Sequence, residues 1–202
     1  MIKAVIFDVG GVLIRTPDRS SRLAWERRLG LADWESEEIV FNSEPGTNAQ
    51  LGQISDAELW AWVGRRLNLS ETKLSEFKRD FWAGDRLDRE LVGYIRQLRP
   101  RYQTAIISNA TDVLRQRLEH DYPIADAFDL IVVSAEEGTM KPDAVIYQLA
   151  LERLGRSANE TVFIDDSLDN VLAARDLGLH AIHFSVQLDL PHEIAKFGVL
   201  RP

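Results

Sequence analysis

Asp8 closes the apolar run Ala4–Asp8 and is followed closely by Gly10 and Gly11, in the stretch Ile6-Phe7-Asp8-Val9-Gly10-Gly11-Val12-Leu13. A carboxylate at the end of a strand, beside backbone that glycine lets come close, can serve as a nucleophile or ligate a cation. The same pairing also makes ordinary turns. Ser108 ends a second run, Thr104–Ser108, and Asn109 follows it. A hydroxyl and backbone N–H groups at a helix opening suit an anion, although Ser108 or Asn109 could simply cap the helix. Lys141, in Gly138-Thr139-Met140-Lys141-Pro142-Asp143, precedes a proline at a plausible first helical position. It reads either as a solvated charge or as a counter-ion. Asp165 and Asp166 end the run Thr161–Asp165, with Asp169 one turn later. Adjacent like charges raise one another's pKa unless a cation relieves them. Hard oxygen donors beside Asp8 would suit Mg²⁺; the bland alternative is that Asp166 caps the next helix.

These residues need elements to position them. Five runs read as strands: Ala4–Asp8, Thr104–Ser108, Leu130–Ser134, Thr161–Asp165 and Ala181–Phe184. Most are continuously apolar, as expected for strands covered on both faces. Helix-period segments at Arg89–Leu98, Thr111–His120, Ala144–Leu154 and Leu168–Leu177 separate them, the last stopping at Gly178. Strand–helix alternation implies an α/β fold, a three-layer core with a mainly parallel sheet of Rossmann-like type. Ligands bind such sheets beyond the carboxyl ends of the strands, where Asp8, Ser108 and Asp165 fall.

Residues 18–83 differ: they show helical periods and no convincing strand. Ser20–Leu29, Glu35–Asn42, Asp56–Leu67 and Ser70–Trp82 are the expected helices, with Ser55 and Glu58 spaced as a capping box and Ser70 with Lys73 a weaker likeness. The stretch Ser43-Glu44-Pro45-Gly46-Thr47-Asn48-Ala49-Gln50-Leu51-Gly52-Gln53 reads as a loop. The segment is too long for a simple crossover, so it is expected to be an inserted helical cap over the strand ends, giving a core of residues 1–17 and 84–202 and a cap of 18–83.

Composition bounds the partners. The chain has 202 residues, a formal charge of −8, 45% hydrophobic residues and no cysteine. The negative charge offers no field for nucleic acid or anionic membrane, and an anionic substrate would need local cations or a metal. Disulfides, thiolate catalysis and Cys-ligated zinc are excluded. With no signal-peptide pattern and no apolar run near the ~18 residues that span a bilayer, a cytoplasmic protein, monomeric or weakly dimeric, is expected.

Four motifs in this order, Asp8, Ser108, Lys141 and Asp165/Asp166, resemble those of the haloacid dehalogenase-like hydrolase superfamily, over essentially the whole chain and with a helical cap after the first motif. The stretches FDVGGVL, GQISDAEL, KPDAVIYQ and FIDDSLDN look like a bacterial subgroup that includes glucose-1-phosphate phosphatases. The resemblance implies an Mg²⁺-dependent phosphatase acting on a small phosphorylated metabolite, a sugar phosphate among the options. Asp8 would attack phosphorus and form an aspartyl-phosphate. Mg²⁺ would be held by the Asp8 carboxylate, the Gly10 carbonyl and Asp166, with Asp165 close or bridging through water. Ser108 and the Asn109 N–H would hold phosphate oxygens, and Lys141 would neutralise shared charge and bind the phosphoryl group.

Gly10 departs from that pattern. Most phosphatases of the superfamily carry there an Asp that protonates the leaving oxygen and later activates water. Such acid–base catalysis contributes about 10²–10⁴-fold, a loss that matters least for a good leaving group or where water or a cap residue supplies the proton. Gly10 also keeps open a non-catalytic descendant that binds a phosphorylated ligand or a protein partner. A metal-free dehalogenase would waste the Asp165/Asp166 pair, and a Schiff-base mechanism would need a cap lysine, for which Lys73 and Lys78 are the candidates. Trp25, Trp34, Trp60, Trp62 and Trp82 are expected mainly to pack the cap core rather than to stack on a sugar. Arg15 could face substrate or solvent. His120, His180, His183 and His192 lack metal-ligand spacing, and the acidic run Glu35–Glu38 reads as a solvated helix face.

Overall fold

The structure, a computed structural model, describes residues 1–199. The chain opens with strand β1 (Ala4–Phe7), runs through the two-residue strand β2 (Ile14–Arg15) into a helical segment, and returns through β3 (Arg86–Leu87). Four more strands follow: β4 (Gln103–Ser108), β5 (Leu130–Val133), β6 (Thr161–Asp165) and β7 (His180–His183). The five longer strands form one parallel sheet in the order β5-β4-β1-β6-β7. β1 sends Val5 and Phe7 to one face and Ala4 and Ile6 to the other, and all four are fully buried. Burial on both faces is why the strand sequence does not alternate with polar residues.

Among the longer helices, α6 (Arg89–Leu98) and α7 (Leu114–His120) cover the face that holds Val5 and Phe7. The helices α9 (Ala144–Leu154) and α10 (Leu168–Asp176) cover the opposite face. A single turn, α8 (Ser134–Glu137), precedes α9, and α11 (Leu190–Ala195) ends the described chain on the α6 face. This is the expected three-layer α/β core. The crossovers β1→β4→β5 lie on one face and β5→β6→β7 on the other, so the order reverses between β1 and β6, the place where such sheets bind ligands.

Several boundaries differ from the sequence reading. β1 stops at Phe7 and β5 at Val133, and β7 begins one residue early, at His180. α7 begins at Leu114 rather than Thr111, because Thr111–Leu114 form a turn closed by the Leu114 N–H to the Thr111 carbonyl at 3.1 Å. Gly178, at φ 87°, ends α10 as expected, with its N–H on the Arg175 carbonyl (2.8 Å) and the Leu179 N–H on Ala174 (3.1 Å).

The inserted cap contains α1 (Ser20–Leu29), α2 (Glu35–Glu37), a π-helical turn over Glu38–Asn42, α3 (Glu44–Gln50), α4 (Asp56–Arg66) and α5 (Glu71–Trp82). It encloses its own core of Trp25, Ile39, Leu59, Trp60, Phe77 and Phe81, with edge-on aromatic pairs such as Trp25–Phe77 (5.4 Å) and Trp60–Phe81 (5.8 Å). Trp34 is the exception: it is exposed and carries the Arg19 guanidinium 3.4 Å from its ring centroid. Ser55 and Glu58 make the expected capping box, and Ser70 accepts from the Lys73 N–H at 3.4 Å.

Two expectations about the cap are corrected. The stretch read as a loop contains α3: the Ser43 hydroxyl accepts from the Gly46 N–H (3.1 Å), and Pro45 sits in the first turn, where its missing N–H costs nothing. Gly46 lies so close to the preceding turn that a Cβ would meet the Val40 carbonyl at 2.5 Å. The acidic run is not uniformly solvated either. Glu38 is exposed, but Glu37 is buried and bound by Arg19 and Arg22. The antiparallel pair β2–β3, with Ile14 opposite Leu87 and Arg15 opposite Arg86, was not anticipated; two-residue strands carry no period to read.

Candidate active site

Register alone brings the acidic residues together. Phe7 is opposite Ile164 across the β1–β6 ladder and the Asp8 N–H donates to the Ile164 carbonyl (2.9 Å), so Asp8 and Asp165 leave neighbouring strands at one level. Ser108 ends β4 on the other side of β1. One carboxylate oxygen from each of Asp8, Asp165 and Asp166 can be chosen so that all three lie within 4.8 Å of one another.

Lys141 reaches this cluster from the loop before α9. Its ammonium lies 2.8 Å from Asp8 Oδ1 and 2.6 Å from Asp165 Oδ2, and the residue is 2% exposed. Burial opposes its charge, and the two carboxylates more than restore it, so its pKa sits above the ordinary lysine value. Asn109 holds that loop through both ends of its amide: Nδ2 donates to the Lys141 carbonyl and Oδ1 accepts from the Lys141 N–H, each at 2.8 Å. The Ser134 hydroxyl in turn accepts from the Ala110 N–H (3.0 Å) and donates to the Ala110 carbonyl (3.2 Å), fixing the turn after Ser108.

The three carboxylates are not equivalent. Asp165 is fully buried and saturated: besides Lys141 it accepts from Asn170 Nδ2 at 3.1 Å on each oxygen and from the Ser167 N–H at 2.8 Å. Asp8 receives the Val9 N–H (2.7 Å) and Lys141, both on Oδ1. Burial, with help from neighbouring Asp165, pushes its pKa up to about 7 against the pull of Lys141. The Asp166 carboxyl is also raised, by burial and then by Asp165. Asp166 does not cap α10; Asp165 supplies the oxygen that binds the Ser167 N–H. The site therefore holds three carboxyl groups against one ammonium. Such a cluster is relieved by a further cation, and hard oxygen donors of this kind fit Mg²⁺.

Glycine is required at position 11 and not at position 10. Gly11 has φ +73°, and a Cβ there would lie 1.9 Å from Asp166 Oδ2, so its absence makes room for the carboxylate. At Gly10 a Cβ would meet nothing within 4 Å. The bonds Ile14 N–H to Val9 carbonyl (2.8 Å) and Gly11 N–H to Ile14 carbonyl (2.9 Å) flank Gly10 and use neither its N–H nor its carbonyl.

A cavity of about 600 Å³ opens between this cluster and the cap. Gly10, Gly11, Ser108 and Asn109 form its core-side floor. Ser108 is 4% exposed, and among the described residues no hydrogen bond engages its hydroxyl. Cap and core also touch beside the floor, where the Asp56 N–H donates to Asp112 Oδ1 (3.0 Å) and the Thr111 hydroxyl to Asp56 Oδ1 (3.1 Å).

The remaining candidates fall outside the cluster. Arg15 pairs with Asp88 and lies over the Phe184 ring. Lys73 pairs with Glu76 on the surface, and Lys78 lines the cavity but is held by Asp56 at 2.7 Å. His183 binds the Asp166 carbonyl through Nε2 (2.9 Å), and His180 stacks on Phe197. Sequence reasoning missed Asn170, Ser134 and the side-chain role of Asn109. Asn170 at least stands in the FIDDSLDN stretch, one turn into α10; the other two have no sequence signal, since their partners lie 24 and 32 residues away.

A parallel sheet with this reversal point, carrying Asp8 and the Asp165/Asp166 pair at its strand ends, with Lys141 reaching them from the loop before α9 and a helical cap above, defines a class, and comparison with known proteins gives its name. Residues 2–178 match the family model of haloacid dehalogenase-like hydrolases, and the chain belongs to that family. It is 29% identical over 194 residues to a sesquiterpene phosphatase of Aspergillus oryzae, covering 92% of this chain and 91% of that protein. It is 28% identical over 192 residues to a D-ribitol-5-phosphate phosphatase of Bacteroides thetaiotaomicron, covering 88% and 89%. The fold superposes with a TM-score of 0.79, at 24% identity and covering 96% and 99%, on a Bacteroides thetaiotaomicron family enzyme solved with magnesium and inorganic phosphate.

Proposed function

We propose that this hydrolase is an Mg²⁺-dependent phosphatase that cleaves a small phosphomonoester through an aspartyl-phosphate on Asp8. The observation that carries the reading is the charge imbalance next to the floor of the cavity: three carboxyl groups cluster around a single buried ammonium, which pairs with Asp8 and Asp165. Two relatives of similar length, both phosphatases by name, support it. The sugar phosphate expected from the sequence is the polar end of this substrate class. Residues 18–83 are the cap that selects the substrate, above a core of 1–17 and 84–202, of which 200–202 lie outside the described residues.

In this scheme Asp8, the Gly10 carbonyl and Asp166 would hold Mg²⁺, with Asp165 close behind, engaged by Lys141 and Asn170. Bound there, the ion would neutralise the carboxylates and draw electron density from the phosphoryl group. The Asp8 carboxylate attacks phosphorus, the P–O ester bond breaks, and the alcohol leaves; water then attacks phosphorus to release phosphate and restore Asp8. Lys141 is already beside the oxygen whose charge the reaction changes, and it binds the phosphoryl oxygens as they approach. The Ser108 hydroxyl and the Asn109 N–H donate to the same group, which is the positioning and electrostatic work phosphoryl transfer requires. Asn109 contributes twice, since its amide also fixes the Lys141 backbone. Gly10 has no proton to give, so water donates the proton that the departing alkoxide takes up, and a leaving group of low pKa departs as the anion without one.

The test is p-nitrophenyl phosphate hydrolysis with Mg²⁺ and with chelator, in the wild type and in Asp8→Asn. Metal-dependent turnover that falls at least about 10⁴-fold in the variant is the expected result. Equal, negligible rates in both proteins would instead favour the second reading that the open space at Gly10 permits, a binding protein for phosphorylated ligands or a protein partner.

A further inference from the structure

We infer that the cavity takes a phosphomonoester with an apolar carbon body, an alkyl or aryl-alkyl monophosphate, in preference to a sugar phosphate. The inference rests on the phosphatase reading for the position of the phosphate and adds the character of the rest of the molecule.

The cavity has two poles. Its floor is polar, with backbone at Gly10 and Gly11 and the unengaged Ser108 hydroxyl. Its walls are not: Phe41, Leu59, Trp60 and Trp82 descend from the cap, and Val113 and Leu114 rise from the turn that opens α7. At about 600 Å³ it is in the range that encloses a small organic ligand, roughly 300–1,000 Å³.

Most of the polar side chains in the walls are already engaged by other groups of the protein. Gln50 Nε2 donates to the carbonyls of Phe41 (2.7 Å) and Gly46 (3.2 Å). Asp56 accepts from Trp60 Nε1 (3.2 Å), Lys78 (2.7 Å) and the Thr111 hydroxyl (3.1 Å). Asp85 accepts from Thr16 (2.7 Å) and Arg22 (3.2 Å). The polar corner that remains is made by Arg117, Asp121 and Tyr122, where the Arg117 guanidinium lies over the Trp82 ring at 4.5 Å and 3.6 Å from Asp121. A sugar brings several hydroxyls that need partners when buried, and leaving them unpaired is costly. An apolar body asks nothing of these groups and gains from covering the aromatic and aliphatic walls.

The experiment is a homologous series on the wild type: butyl, hexyl and octyl phosphate against glucose 1-phosphate and ribitol 5-phosphate, with p-nitrophenyl phosphate as the reference. The expected result is a kcat/KM that rises roughly three-fold per methylene, placing octyl phosphate about 100-fold above butyl phosphate and above both sugar esters. Val113→Asn and Phe41→Gln should flatten that slope through KM more than through kcat. Affinities of the matching alkylphosphonates, measured by calorimetry, read the pocket without turnover. A slope in affinity with no hydrolysis of any ester would retire the phosphatase reading and leave the pocket assignment standing. Hydrolysis of p-nitrophenyl phosphate with no slope in either series, or with the sugar esters preferred, would overturn the inference.

Discussion

Two buried ionic clusters sit in this molecule, and they behave in opposite ways. In the cap, Glu37 receives Arg19 on both oxygens (2.7 and 2.8 Å), Arg22 at 3.1 Å and the Ser36 hydroxyl at 2.8 Å. Burial raises its pKa, but these donors prevail and hold it down at about 2. At the strand ends, Asp8 has one ammonium, shared with Asp165, and its pKa stands at about 7. Both carboxyls are buried acids beside cations. What separates them is supply: one is given every donor it can use, the other is left short. A fully supplied carboxylate is a structural joint; a deficient one beside an open cavity is a place for something to bind.

The largest test of that contrast is Lys141→Met. It removes the ammonium from the buried carboxyls of Asp8 and Asp165, and breaking such a pair costs about 3–5 kcal/mol. Urea unfolding of the metal-free protein should show that loss, together with phosphatase activity reduced to background. Glu37→Gln comes next. It should lower the Tm at neutral pH by about 5 °C, corresponding to roughly 2 kcal/mol, and leave Mg²⁺ affinity unchanged. The sign of its pH dependence follows from the depressed pKa: Glu37 contributes stability above its ordinary value of 4.5, and the contribution fades as pH falls toward 2. Wild-type and Glu37→Gln unfolding curves should therefore converge in acid. Gly10→Asp is the smallest change. Its side chain enters open space, and as an added proton donor it should raise p-nitrophenyl phosphate turnover about ten-fold, below the usual 10²–10⁴-fold of acid–base catalysis because that leaving group barely needs a proton.

The contrast also explains what could be read from the sequence. The core strands were legible because burial on both faces leaves apolar runs, and their ends could be seen because Asp8, Ser108 and Asp165 interrupt them. Convergence of Asp8 with Lys141 and the Asp165/Asp166 pair followed once the strands were placed side by side. Glu37 was misread because its neighbours in sequence are acidic, while the cations that bury it lie 15 and 18 residues earlier, one helix away. The helix α3 was misread as a loop because Pro45, Gly46, Thr47 and Asn48 are poor helix formers; here a Ser43 cap and close packing of Gly46 override propensity. Ser134 and Asn109 act through backbone atoms of distant residues, which no spacing rule encodes.

The central claim is that the strand-end cluster lacks a cation that a divalent ion supplies, and Asp166→Asn tests it through thermal unfolding in chelator and in excess Mg²⁺. Asp166 adds to a cluster already rich in negative charge, so in chelator the variant should be at least as stable as the wild type, while Mg²⁺ should raise the Tm of the wild type alone. A variant that is less stable in chelator, or one that Mg²⁺ stabilises as much as it does the wild type, would contradict the account.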